Sequence, residues 1–313
     1  AGILAAGQQA AMGSVLAFSR NQESSADAAG VRYLNGSKIS GRGMLEFFKK
    51  LQSQEFRLAI PQDNPYNRTH PLSGQRIANL TNDLSKGPGW SVPTPGGWDE
   101  RFRRVQAKLR GFVNDPKSTL RKYPDTDTSI SARYARAYAY HRSGYPQQAA
   151  TEAAALVKAA PKDPYFQELQ GQVLLESGKP LEALNPLRQA TQATNYQPLI
   201  ATTFGHALLA TEDPRFIDEA EKVLRQAVAR DDQNPFAWYQ LGTAYERKGD
   251  QARSALAAAE QASLTGQHQR ALFSARAAMA GLPPGTPDYI RAQDIQMTAE
   301  VAVEDERRNR RRR

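Results

Sequence analysis

Trp238-Tyr239-Gln240-Leu241-Gly242-Thr243-Ala244-Tyr245 carries Trp, Leu, Gly and Tyr at intervals of three, four and seven from its first residue. That spacing puts the four on one face of a helix. A glycine inside a helix costs about 1 kcal/mol relative to alanine, so Gly242 marks a place where a partner helix comes close. The same feature recurs upstream. Ala137, Gly171 and Gly205 stand 34 residues apart, as do Ala149 and Ala183, and Ser143-Gly144 and Ser177-Gly178. Three extra residues around Asp213 to Phe216 lengthen the next step, so Gly205 to Gly242 and Ala183 to Ala220 are both 37. A fixed period of this length means stacked supersecondary units. Glycine ends the first helix of a unit and proline opens the second, as in Ser143-Gly144-Tyr145-Pro146 and Ser177-Gly178-Lys179-Pro180. Helix pairs are expected near 130–159, 164–194, 197–229 and 235–264. A further helix follows at 267–281, and a cap at 288–303 after the stop at Pro283, Pro284 and Pro287. Such an array is a solenoid with a concave face.

The pattern W-x2-L-G-x2-Y resembles the first helix of a tetratricopeptide repeat. In the first unit, Tyr134 and Tyr138 share a face. Two readings fit them: they line a groove for a partner, or they pack against the neighbouring helix.

The 313 residues are enough for two domains, or for one globular piece and a repeat array. With 40% apolar and 23% charged residues, the chain is neither disordered throughout nor a fibrous rod. It has no cysteine, which excludes disulfides and Cys-ligated metal sites. The apolar stretch from Gly2 to Phe18 is interrupted by Gln8 and Gln9 and is read as no membrane crossing. The net charge is +9, but six arginines lie within Arg307 to Arg313. Without them only three positive charges remain, so nucleic acid is not expected as a partner. The tail 304–313 is expected as a solvated, disordered end able to touch acidic partners or a membrane surface. Position 1 is Ala and no signal peptide is visible; an upstream segment is expected.

Gly and Pro crowd residues 87–97, which suits a linker or a long ordered loop. A helix over 98–113, with Phe102, Val105, Leu109 and Phe112 at helical spacing, is expected to connect the two parts. Residues 1–86 read as a separate helical block. Its helices are expected near 3–18, 19–34 and 41–54, the last with Met44, Phe47, Phe48 and Leu51 on one stripe. A loop covers 60–68. A fourth helix begins at Pro71 with Thr69 as its N-cap and carries Arg76, Ile77 and Leu80. Eighty-six residues barely close a core of their own.

Within the helix near 19–34, Glu23 and Asp27 lie one turn apart. Their stripe continues through Gly30, Val31 and Leu34, while Asn21, Ser24, Ser25, Ala28 and Arg32 line the other side. Two inward carboxylates at i,i+4 repel, and burying them is costly unless a cation or donors compensate. A metal ion held with histidines is one answer; Glu23 would bind it and Asp27 would steady a ligand histidine. An ordinary half-exposed helix with an Arg20–Glu23 pair is the other. His70, at a helix N-terminus, either contacts a metal or substrate or is a plain surface residue. Arg76 could orient a carboxylate or a carbonyl.

Taken in order, Ser19-Arg20-x-x-Glu23-x-x-Ala26-Asp27-x-x-Gly30 and then Thr69-His70-Pro71-x4-Arg76-Ile77 resemble the M48 family of zinc metallopeptidases. The resemblance implies one zinc ion, with Glu23 as its third ligand and Asp27 as the acid supporting the ligand shell. It also implies that His70 and Arg76 stand close to the reaction. Combined with the repeats it is similar to a periplasmic branch of that family. Expected partners are therefore protein or peptide substrates and the outer-membrane assembly machinery. The expected fold is all-α: the C-terminal part of a helical zincin-like domain (1–86), a linker and connector helix (87–128), a tetratricopeptide-repeat solenoid (129–303) and the basic tail. The chain departs from the family in one respect. Its histidines are at 70, 141, 206 and 268, so no HExxH can be written. Two zinc ligands and the general base are expected from an upstream segment, and the chain alone is expected to be inactive. His141, His206 and His268 read as structural or surface residues. The alternative is a non-enzymatic repeat scaffold.

Overall fold

The computed structural model describes residues 18, 21–57 and 74–311. The regular structure of these residues is helical, with no strand among them. The chain divides into two compact units, Ala1–Phe102 and Arg103–Arg313.

In the first unit, α1 covers 21–36. It is followed by α2 (Arg42–Arg57) and α3 (Gly74–Ser85). Leu45, Leu80 and Leu84 form a small core, with Val31, Leu34, Met44, Phe48 and Trp90 packed around it. Trp90 comes from the glycine- and proline-rich stretch, so its first part is ordered. The Ser40 hydroxyl donates to the Trp90 carbonyl at 3.1 Å. A Cβ at Gly89 would sit 2.7 Å from the Ile39 carbonyl oxygen, so only glycine lets the loop fold this closely. The expected helix 3–18, the loop 60–68 and the residues Thr69, His70 and Pro71 lie outside the described residues.

In the second unit, the later part of α4 (Trp98–Val113) precedes α5 (Pro116–Lys122). The helix pairs are α6 (Ile130–Arg142) with α7 (Pro146–Ala159), α8 (Pro164–Glu176) with α9 (Pro180–Ala193), α10 (Pro198–Ala210) with α11 (Ile217–Arg230), and α12 (Pro235–Arg247) with α13 (Gln251–Leu264). The array ends with α14 (His268–Gly281) and α15 (Pro287–Arg311). Side chains of Ser129, Asp163, Gln197, Asn234 and Asp250 accept from first-turn amides, supplying the caps the helices need. Gly144 and Gly178 stand at φ +73° and +76° where first helices end. The periodic glycines mark close approach. A Cβ at Gly171 or Gly205 would fall 2.3 or 2.5 Å from Cγ of Leu187 or Leu224 on the partner helix. Trp238 is buried, and its Nε1 donates to the Asp232 carbonyl at 2.8 Å.

The structure decides one open alternative, shows which face of α4 is buried and corrects the expected disorder of the tail. Tyr134 and Tyr138 are 3% exposed. Their rings pack edge-on at 5.4 Å, and Tyr134 meets Phe166 at 5.3 Å. They are core, not groove. On α4, Phe102, Val105, Leu109 and Phe112 are each more than half exposed, whereas Ala107 and Gly111 are buried. Gly111 faces α6, where a Cβ would be 2.6 Å from the Ala135 carbonyl oxygen. The small residues allow the close approach that the large ones would prevent. The last helix runs past 303 to Arg311. Ala292, Ile295, Ala299 and Val303 bury one stripe of it. Beyond that stripe Glu304 and Arg308 pair across one turn at 3.8 Å, in the acid-before-base order that supports a helix.

Candidate functional site

Helix α1 presents Glu23 and Asp27 on the side that faces α2 and α3. Asp27 is 8% exposed, while Ser24, Ser25 and Ala28 are exposed. The buried acids are compensated by Arg76 of α3. Its Nε donates to Asp27 Oδ2 at 2.5 Å and its Nη2 to Asp27 Oδ1 at 2.8 Å, a bidentate pair. The same Nη2 lies 2.8 Å from Glu23 Oε2. Phe48 of α2 lies beneath, with its ring centroid 5.2 Å from the guanidinium carbon. The Asp27 hydrogen bond, opposed by burial and helped by both carboxylates, raises the Arg76 pKa above its ordinary value. Arg76 is charged at any working pH and holds the two carboxylates in place.

Thus Glu23, Asp27 and Arg76 come together. His70, Ser19 and Arg20 lie outside the described residues, and the Arg20–Glu23 alternative lies there with them. Sequence reasoning missed Phe48 as a partner of Arg76. It had been placed on a core stripe with Phe47, which is 56% exposed. Among the described residues no group of three or more His, Asp or Glu is arranged to hold a metal ion. Glu23 with its two neighbours therefore does not fit a complete zinc site.

A second constellation spans the first helices of successive repeats. His141 Nε2 of α6 lies 2.8 Å from Glu176 Oε2 of α8. Gln172 donates to Glu176 Oε1 at 2.9 Å. His206 of α10 meets the Phe236 ring of α12 edge-on at 5.4 Å. Phe236 in turn stacks on Tyr239 at 6.5 Å. Hydrogen bonding to His141 lowers the Glu176 pKa, and burial lowers that of His206.

Residues 1–83 match the sequence profile of Peptidase family M48, and residues 134–198 and 203–268 match that of the tetratricopeptide repeat. The chain joins a segment that matches the M48 profile to tetratricopeptide repeats. Glu23, Asp27 and Arg76 all fall in the matched segment. A "Beta-barrel assembly-enhancing protease" of Yersinia pestis is 23% identical over 278 residues, covering 87% of this chain and 54% of the relative. The protein of the same name from Escherichia coli (strain K12) is 22% identical over 265 residues, covering 82% and 52%. The chain spans about half the length of the curated relatives it matches. Among solved structures, YrrB, described as a tetratricopeptide-repeat protein with an unusual peptide-binding site, aligns with a TM-score of 0.45 at 21% identity over 56% of this chain and 90% of its own. MamA aligns with a TM-score of 0.41 at 19% identity over 55% and 96%. Among the described residues no helix is long and apolar enough to cross a membrane.

Proposed function

We propose that this chain is part of a zinc-dependent metalloendopeptidase in which the M48 segment contributes to the active site and the repeats hold protein substrates or partners. The observation that supports the proposal is the ion-paired cluster of Glu23, Asp27 and Arg76, which lies within the segment that matches Peptidase family M48. In this reading Glu23 is the acid that would take the metal, Asp27 its support, and Arg76 a positioning residue that fixes both carboxylates. The family resemblance also implies a role for His70 close to the reaction. Zinc, when bound, would supply Lewis-acid activation of water and of the scissile carbonyl. The four histidines at 70, 141, 206 and 268 cannot furnish the paired ligands of an HExxH helix, so no hydrolytic step is assigned to these residues. The name of the curated relatives supports a role in envelope protein quality control, hence a periplasmic location and outer-membrane assembly machinery as a partner. Peripheral membrane association through the arginine-rich end is part of the same proposal. A non-enzymatic repeat scaffold is the competing reading.

Glu23→Gln in the native full-length protein decides between them. The expected outcome is a fall from about one zinc per chain to a small fraction of that, with proteolysis lost in parallel. Metal analysis by mass spectrometry reads the first effect directly. Full zinc content in the variant, or none in the wild type, would favour the scaffold.

A further inference from the structure

We infer that the outward face of α4 docks on an anionic lipid surface, its apolar stripe sunk among the headgroups and its arginines on the lipid phosphates. The inference goes beyond the protease reading and does not use the arginine-rich end of the chain.

Val105, Leu109, Phe112 and Val113 are each more than half exposed, as is Phe102 one turn before them. With 3.6 residues per turn, the five fall within an arc of about 100° of the helix. The helix is held to the array from the opposite side. Ala107 and Gly111 are buried there, and Arg104 and Lys108 reach Asp163 and Glu168 of α8 at 2.7 and 3.4 Å. Turning the stripe inward would break both pairs and drive large side chains into the Ala135 backbone, which lies against Gly111. Single apolar residues on a surface need no partner, but a contiguous apolar ridge marks an interaction site.

Charge decides what covers the ridge. Arg101 borders the stripe on one edge. Gln106, Arg110 and Arg103 follow on the other, with Asp99 beside them in the first turn. Arg101 and Arg103 are exposed, and among the described residues no ion pair holds either. Arg110 donates to the Tyr123 hydroxyl at 3.0 Å, which leaves its charge uncancelled. Arg142 of α6 lies over the Phe112 ring, 6.0 Å from its centroid. Residues 98–123 together carry eight basic and three acidic side chains, and six basic ones remain after Arg104 and Lys108 are paired to α8.

A second copy of the chain would set basic edge against basic edge, whether the two helices ran parallel or antiparallel. Nucleic acid would meet the arginines and leave five apolar side chains in water. A bilayer interface answers both parts. It takes in apolar side chains at headgroup depth, while long arginine side chains reach the anionic lipids beside them.

The 313-residue chain has no cysteine, so Leu109→Cys accepts a single nitrobenzoxadiazole label. Ala277→Cys, exposed on α14 at the far end of the array, is the control. Vesicles contain phosphatidylcholine alone or with one part in four of phosphatidylglycerol. With the anionic vesicles, the label at 109 is expected to brighten about twofold or more and shift to the blue, and the label at 277 to stay unchanged. Val105→Asp should lower vesicle partitioning about tenfold with circular dichroism unchanged. Replacing Arg101 and Arg103 together by Gln should reduce anionic-vesicle binding to the level of the neutral vesicles. No change at 109, or a blue shift at 277 alone, would overturn the inference, the second result assigning docking to the arginine-rich end. So would an equal response at 109 to double-stranded DNA. Emission at 109 that is already blue without lipid and fades on dilution would give the face to a second copy. Vesicle binding by the native full-length protein that Val105→Asp leaves unaltered would show the face covered by another part of the protein, and would overturn the inference as well.

Discussion

Arg136 is a charged side chain 1% exposed in a helix interior. Its Nε donates to Glu152 at 2.7 Å, and its Nη1 to the carbonyls of Pro124 and Asp127 at 2.7 and 2.8 Å. Every partner is needed, because a buried cation with unmet donors is far costlier than the pair is stabilising. Arg136→Met leaves two carbonyls without their donor and Glu152 with Arg133 alone, at 3.0 Å. A loss of about 3–5 kcal/mol is expected, read as a lowered urea midpoint; an unchanged midpoint would show the network is dispensable. At His206 the linkage runs with pH. Burial holds its folded pKa below the ordinary 6.5, against a weaker opposing effect of Glu176. The unfolded chain takes up the proton first as pH falls, so the His206 contribution to stability is lost below about pH 6.5. The melting temperature of wild type minus that of His206→Gln should therefore decrease from pH 7.5 to pH 5.5. A difference independent of pH would contradict the assignment.

The repeat glycines look equivalent in sequence and are not equivalent in packing. At Gly205 an added methyl would overlap Leu224, which is fully buried and close to its branch point. At Gly242 it would meet the Ala257 methyl at 3.3 Å and the Ser254 carbonyl oxygen at 3.7 Å, both without overlap. Alanine gains about 1 kcal/mol of helix propensity at either place, whereas overpacking costs about 1–3 kcal/mol. Gly205→Ala is expected to lower the melting temperature of the array, and Gly242→Ala to leave it within about a degree or raise it. Equal effects at the two sites would refute the contact argument. Helix α4 teaches the same lesson about faces. Its strongest apolar stripe stays exposed, and the face that packs on α6 is made of Ala107 and Gly111 with Arg104 and Lys108 beside them. Those two basic side chains reach Asp163 at 2.7 Å and Glu168 at 3.4 Å.

A solenoid is stable through contacts between neighbours, and its ends need caps. The second unit has both. Helices α4 and α5 cover the start of the array, with Gly111 against α6 and Arg104 over the Phe166 ring of α8 at 4.3 Å. At the other end, α14 and α15 close a cluster of small residues, including Ala271, Ala275, Ala278 and Ala292. Residues 103–313 are accordingly expected to fold on their own, with a cooperative thermal melt and strong helical circular dichroism. A non-cooperative melt of that fragment would show that its stability depends on residues before Arg103. The first unit offers a contrast. Its described core is three leucines and their flanking side chains, beside the charged cluster of Glu23, Asp27 and Arg76.

The period of 34, the Gly–Pro turns and the small residues at 171, 205 and 242 already dictate an all-helical stack, because local spacing and turn chemistry are properties of neighbouring residues. Likewise, Glu23 and Asp27 one turn apart on an apolar stripe mark an inward acidic pair, and the M48 pattern adds Arg76 to the list. Contacts between distant segments are not written in any local pattern. Only the packed chain shows that Arg76, 49 residues away, clamps Asp27, that Tyr134 and Tyr138 fill a core, and that α4 turns its small face inward. The reason is steric and electrostatic: which face is buried depends on how closely two backbones approach, and which cation answers an acid depends on which helix arrives beside it.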